Sequence, residues 1–129
     1  MPASRISIEN AKPNKLFYVV ATAVVYRESD GRCLILKRHE REKVHPGRYA
    51  VPGGKLEHDQ IDIQNPEKMN GDVADYPSAL LELVRREVRE EAGIEIEDDL
   101  RYLDSMAFVR PDETPVVLFK FSVRYKSGD

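Results

Sequence analysis

Residues 85–96 have the sequence RREVREEAGIEI, in which Glu87, Glu90 and Glu91 lie close together. Apolar residues recur at helical spacing before and within this stretch, which predicts an amphipathic α-helix. On a helix, like charges three and four residues apart are neighbours and repel each other. We therefore expect a compensating partner for these carboxylates.

The phase of the predicted helix turns the glutamates toward its apolar side. When Leu80 is set at zero and each residue advances about 100°, Glu87 and Glu91 lie within about 60° of it. Leu83 shares this sector, and Glu90 lies at its edge. Carboxylates on this face are costly to bury unless their charge is neutralised. We expect them to face whatever the helix packs against.

The residues alone leave three explanations for the cluster open. Arginines could pair with the glutamates in a structural network, or a hard divalent cation could bind between them. Grouped oxygen ligands suit Mg²⁺ or Mn²⁺. The third explanation is a solvated acidic patch with pairing between positions i and i+4, such as Arg86 with Glu90.

The length, charge and cysteine content of the chain exclude several classes of protein. The chain has 129 residues and 41% hydrophobic residues, which suits one domain with its own core. A net charge of −3 argues against a general nucleic-acid binder. Cys33 is the only cysteine, so no internal disulfide is expected. No segment is typical of a membrane span or a signal peptide, and we expect a cytoplasmic protein.

The predicted elements follow the order strand, strand, helix, strand, strand, which is typical of a mixed sheet with a helix packed on it. Residues 58–76 are polar and are expected to form a long loop or a small excursion. Gly93 fits the helix stop, and Asp75 is a candidate cap at its start. The predicted elements are strands at 16–26, 32–37, 100–110 and 115–125, an extended piece at 49–51 and a helix at 78–92.

The segment REVREEAGI, residues 86–94, resembles the second half of the Nudix box, G-x5-E-x7-R-E-U-x-E-E-x-G-U, where U is aliphatic. YAVPGGKLE, residues 49–57, resembles the approach to the box, with Gly54 as its first glycine. The resemblance implies one Nudix domain over residues 1–129, an α/β/α sandwich whose mixed β-sheet carries the box helix. The matching positions are Arg86, Glu87, Val88, Glu90, Glu91, Gly93 and Ile94.

The chain departs from the box in its first half. Arg86 follows Gly54 by 32 positions, about 18 more than the usual box has, and we assign the excess to an insertion at about residues 58–76. The first glutamate of the box falls on Ser78. In the family this glutamate is mainly a structural partner of the box arginine. Either it is absent here or a carboxylate of the insertion, such as Asp75 or Glu67, replaces it.

The resemblance also implies the metal site and the catalytic residues. The Gly54 carbonyl and the carboxylates of Glu87, Glu90 and Glu91 would hold Mg²⁺ or Mn²⁺. Glu90 is the preferred base, and Arg86 would orient Glu87. Many family members use a later acidic residue, for which the turn with Asp112 and Glu113 is one source.

Three further residues are candidates for contacts with the substrate. Arg38 and Lys55 would meet phosphate, with a solvated surface charge as the alternative for each. Tyr49 would stack on a base, or pack as a half-buried core residue.

The implied activity is the metal-dependent hydrolysis of a diphosphate bond in a nucleoside diphosphate linked to another group. The alternative is a Nudix fold that binds or senses a nucleotide or nucleotide sugar without cleaving it. The expected partner is a small nucleotide, with no membrane and no general nucleic-acid binding. The sequence leaves the oligomeric state open, a homodimer included.

Overall fold

The computed structural model describes residues 1–34, 36–37 and 49–128, with the backbone alone at residues 36, 37, 49 and 50. Ten strands, one α-helix and two 3₁₀ turns lie in these ranges. In chain order they are a turn at Pro13–Lys15, β1 (Tyr18–Arg27), β2 (Arg32–Cys33), β3 (Leu36–Lys37), β4 (Tyr49–Ala50), β5 (Gly53–Lys55), a turn at His58–Gln60, β6 (Lys68–Asn70), β7 (Val73–Asp75), α1 (Ala79–Ala92), β8 (Ile94–Ile96), β9 (Arg101–Val109) and β10 (Pro115–Gly128).

The two longest strands, β1 and β10, are neighbours and run parallel, from Tyr18 opposite Val116 to Tyr26 opposite Arg124. Both are rich in β-branched and aromatic residues, which favour strands. β2 and β5 pair antiparallel with β1, and β8 and β9 pair antiparallel with β10. The result is a mixed six-stranded sheet, beside the separate two-stranded sheets β3–β4 and β6–β7.

The core lies between α1 and one face of the six-stranded sheet. Successive strand residues point to opposite sides, so alternate side chains of β1 and β10 face the helix. α1 contributes an apolar stripe at helical spacing to the same layer. This packing places α1 over β1 and its neighbour β5. The buried core residues are Ala21, Ala23, Val25, Leu83, Val84, Val88, Ile94, Ile96, Phe121 and Val123.

α1 begins and ends close to where the sequence predicts. Its first residue is Ala79, one position after the predicted start. At the other end Gly93 has φ of 69°, and its backbone N–H donates to the carbonyl of Arg89, as expected for a glycine stop. None of the helices in the described ranges is long and apolar enough to cross a membrane.

The expected excursion at residues 58–76 contains a β-hairpin. β6 and β7 pair antiparallel, with Lys68 opposite Asp75 and Asn70 opposite Val73. Gly71 has φ of 63° in the turn between them, a conformation that glycine adopts without strain. The hairpin returns the chain directly to the start of α1.

The fold is mixed α/β, as predicted, with one α-helix among the described residues. That helix covers one face of the sheet. On the opposite face Met106 and Phe108 of β9 remain exposed at 41% and 40%. The described ranges therefore contain one of the two helical layers of an α/β/α sandwich. Four short strands, β5 to β8, were not predicted.

Candidate active site

The candidate site forms where the third turn of α1 meets β5. Gly54 pairs with Ala21 and lies on the helix side of the sheet. A Cβ atom at position 54 would lie 2.6 Å from Cδ of Glu87 and 2.8 Å from its Oε1. Only glycine leaves this space open, so the Glu87 carboxylate rests on the Gly54 backbone.

Arg86 lies between two of the carboxylates. Its Nη2 is 3.2 Å from Oε1 of Glu87, and its Nε is 3.9 Å from Oε1 of Glu90. The Glu87 side chain is 18% exposed and that of Arg86 38%. Arg86 therefore partly neutralises the cluster, although ion pairs this accessible stabilise a fold by only about 0–1 kcal/mol each.

The expectation that all three glutamates face inward is wrong for two of them. Glu87 is partly buried, whereas the Glu90 side chain is 62% exposed and Glu91 is also exposed. A carboxylate has a lower free energy in water than buried in the protein without a strong partner, which favours the exposed positions of Glu90 and Glu91. Within the described residues, no three His, Cys, Asp or Glu side chains lie close enough together to hold a metal ion.

The donor set nevertheless fits a hard divalent cation chemically. Glu90 and Glu91 lie three and four positions after Glu87, which is about one turn, or 5.4 Å, along the axis. Glutamate side chains are long enough to converge on a common point from that spacing. The Gly54 backbone beside Glu87 adds a neutral oxygen donor, and oxygen-only sets suit Mg²⁺ and Mn²⁺.

Lys55 lies on the face of the sheet opposite to Gly54 and Glu87. It pairs with Val20 on β1, and its Nζ is 5.6 Å from the ring centroid of Tyr18. Cζ of Arg110 lies 5.9 Å from the same centroid. A phosphate chain that contacts both Glu87 and Lys55 would therefore pass around the sheet edge at β5.

Tyr18 and Arg110 were not singled out in the sequence. Arg110 follows the end of β9, and Tyr18 begins β1, so only the strand register brings them together. Arg38 and the side chain of Tyr49 lie outside the described residues.

The acidic turn after β9 has its own partners. Oδ2 of Asp112 lies 2.7 Å from Nη2 of Arg110, and Oδ1 accepts the backbone N–H of Thr114 at 3.2 Å. The Thr114 hydrogen bond, with help from the charge of Arg110, lowers the pKa of Asp112. Glu113 has φ of 73° within the same turn. Asp112 therefore closes this turn.

Comparison with solved structures identifies similar folds. The MutT protein from Methanosarcina mazei Go1 is 25% identical with a TM-score of 0.57, over 92% of this chain and 70% of that chain. The NUDIX hydrolase from Nitrosomonas europaea is 19% identical, with a TM-score of 0.59 over 88% and 62% of the two chains. The MutT NUDIX hydrolase from Burkholderia pseudomallei is 22% identical, with a TM-score of 0.60 over 89% and 72%. No family model and no curated protein matches the chain.

Proposed function

We propose that this chain is a member of the Nudix family and that it hydrolyses a diphosphate bond in a nucleoside diphosphate linked to another group. The observation that carries the proposal is the Glu87 carboxylate resting on Gly54, with Glu90 and Glu91 on the next turn of the same helix. This arrangement sets anionic oxygen donors beside the backbone of Gly54. The MutT and NUDIX proteins of similar fold support the assignment.

The cofactor we propose is Mg²⁺ or Mn²⁺. Glu87, Glu90, Glu91 and the Gly54 carbonyl would hold it. When bound, the cation supplies positive charge for the diphosphate oxygens and lowers the pKa of water. Arg86 would keep the Glu87 carboxylate oriented through their 3.2 Å contact.

Side chains of the protein would take the proton from the attacking water and bind the phosphates. Water attacks phosphorus in line, the bond from that phosphorus to the bridging oxygen breaks, and two phosphate products leave. Glu90 takes the proton of the attacking water, since its exposed carboxylate is open to solvent. Lys55 would contact phosphate at the edge of the sheet, and Arg38 would be a second phosphate contact. Tyr49 would stack on the base.

A substrate panel tests the proposal. The panel contains nucleoside triphosphates, ADP-ribose, other nucleotide sugars and dinucleoside polyphosphates, each incubated with Mg²⁺ or Mn²⁺, with products identified by mass. We expect hydrolysis of at least one compound and none in EDTA. Tight binding by calorimetry without product would instead identify a nucleotide sensor and contradict the proposal.

Variants on the helix test the assignment of the site. Glu90→Gln and Glu91→Gln should each lower kcat by about 100-fold or more, because removing one charge-stabilising group in an active site has an effect of that order. Glu82→Gln is the matched control on the same helix, since Glu82 pairs with Arg85 away from Gly54. Full turnover in the Glu90 and Glu91 variants would refute the metal assignment.

A further inference from the structure

The start of α1 receives its cap from a distant carboxylate. The side chain of Ser78, the residue before the helix, makes no capping hydrogen bond. Its backbone N–H instead donates to Oε2 of Glu67 at 3.0 Å, from a residue 11 positions earlier. A negative charge at a helix N-terminus is stabilised by the helix dipole and the free N–H groups.

Glu67 is held in place by structure on both sides. Before it, the carboxylate of Asp62 accepts hydrogen bonds from the backbone of Gln64 and the side chain of Asn65 at 3.1 and 2.8 Å. After it, the β6–β7 hairpin leads to Tyr76, whose hydroxyl donates to the carbonyl of Asp62 at 2.6 Å. These contacts close the insertion into a folded loop that presents Glu67 to the helix.

Glu67 also shares a cavity with the arginine of the site. The cavity has a volume of about 290 Å³, and Glu67, Tyr76, Glu82, Arg86 and Arg89 are among its lining residues. Arg86 in turn contacts Glu87 and Glu90. One carboxylate thus caps the start of the helix and lines the same cavity as Arg86.

We propose that Glu67 is a positioning residue, which supplies the carboxylate missing at Ser78 and holds α1 so that Glu87 stays against Gly54. The inference rests on the proposed function. Glu87 lies nine residues after Ser78, or about 13.5 Å along the helix axis. The Glu87 carboxylate packs against Gly54, so a shift of the helix start would move it relative to β5. Residues 58–76 therefore hold the N-terminus of α1 in position through Glu67.

The test compares Glu67→Ala with Asp75→Asn, the other carboxylate of the insertion near the helix start. Glu67→Ala should lower kcat by about 10- to 100-fold, the usual effect of losing a residue that orients metal ligands. The KM for nucleotide should change by less than about threefold, because substrate contacts remain. The Mg²⁺ concentration at half-maximal rise in melting temperature should increase as well. Asp75→Asn should match the wild type in all three measurements.

A rescue variant distinguishes a role of Glu67 in positioning the helix from a role only in the stability of the fold. Adding Ser78→Glu to Glu67→Ala should return kcat to within about threefold of the wild type, since the carboxylate again lies at the helix start. A Glu67→Ala protein that melts earlier but keeps its kcat and Mg²⁺ midpoint would overturn the inference. Failure of Ser78→Glu to restore kcat would overturn it too.

The inference can be tested even if the wild type hydrolyses no compound of the panel. That result would refute the proposed function alone. Hydrogen exchange would then decide the inference, with faster exchange at Gly54 and along α1 expected in Glu67→Ala and reversal expected with Ser78→Glu. Unchanged exchange in Glu67→Ala would overturn it.

Discussion

The carboxylate of Glu87 rests on the backbone of Gly54, so that a Cβ atom added at position 54 would lie 2.6 Å from Glu87 Cδ. This contact joins α1 to β5, two elements far apart in the sequence. It also differs from the contacts of the neighbouring glycine. A Cβ at Gly53 would lie 2.5 Å from the carbonyl oxygen of Ala21 and 2.9 Å from Cα of Thr22, which are fixed parts of β1.

Gly54→Ala should damage activity more than stability. The new methyl meets the end of a flexible side chain, so Glu87 can rotate away at little cost to the fold. Misplacement of a group in an active site by about 1 Å costs on the order of 100-fold in rate, and our proposal makes Glu87 such a group. We expect kcat to fall by about that factor, with the melting temperature lowered by only about 4 °C or less, as measured by steady-state kinetics and calorimetry.

Gly53→Ala provides the contrast, because its methyl meets rigid backbone. We expect this variant to lose about 1–3 kcal/mol of free energy of unfolding from overpacking, measured by urea titration. If Gly54→Ala were the more strongly destabilised of the two, the contact with Glu87 would not be the feature that requires glycine.

Lys55→Met should weaken substrate binding. The substitution keeps the length of the side chain and removes its charge. A hydrogen bond to a charged group contributes about 1.5–3 kcal/mol, so KM should rise about tenfold or more while kcat changes less than about threefold. Tyr18→Phe keeps the ring beneath Lys55 and should leave KM unchanged. A loss confined to kcat would instead assign Lys55 to the chemical step.

Stability at low pH should depend on Asp30. Its carboxylate lies 2.6 Å from Nη2 of Arg27 and accepts the backbone N–H of Arg32 at 3.1 Å, and these hydrogen bonds lower its pKa from 3.8 to about 2. A pKa lowered by folding gives stability that is complete above the unfolded-state value and is lost as the pH falls toward the folded-state value. In Asp30→Asn the fall in melting temperature between about pH 4 and pH 2 should be shallower than in the wild type. Parallel melting curves over that range would contradict this.

Leu83→Ala should destabilise the whole fold. Leu83 is 2% exposed and packs between α1 and the sheet. Truncation of a buried leucine leaves a cavity and costs about 2–5 kcal/mol of free energy of unfolding. Urea titration should show a lower midpoint at an unchanged slope. A loss below about 1 kcal/mol would mean that α1 can repack over the gap.

The long elements could be predicted because their signals are local. β1 and β10 are runs of β-branched and aromatic residues, and α1 carries a helical apolar period that stops at Gly93. β5 could not be predicted in this way, since two of its three residues are glycines with weak strand preference. It is a strand because Gly53, Gly54 and Lys55 pair with β1, which is a tertiary contact.

The candidate site was predictable in part for the same reason. Helical phase identified the side of α1 that carries Glu87, and that residue lies partly buried beside Gly54. The helical phase gives the direction of each side chain but not how far the sheet extends over that side of the helix. The exposure of Glu90 and Glu91 could therefore not be predicted. The capping of Ser78 by Glu67 depends on how residues 58–76 fold back, which their polar composition does not specify.

The parallel pairing of β1 with β10 has a consequence for synthesis of the chain. Tyr18 must find Val116, which lies far later in the chain, on the other side of α1. Contacts this distant in sequence slow folding, because a long loop must close before they form. While the ribosome is still translating, β1 therefore lacks its main neighbour, and its apolar side chains are open to chaperones or to other nascent chains until β10 emerges.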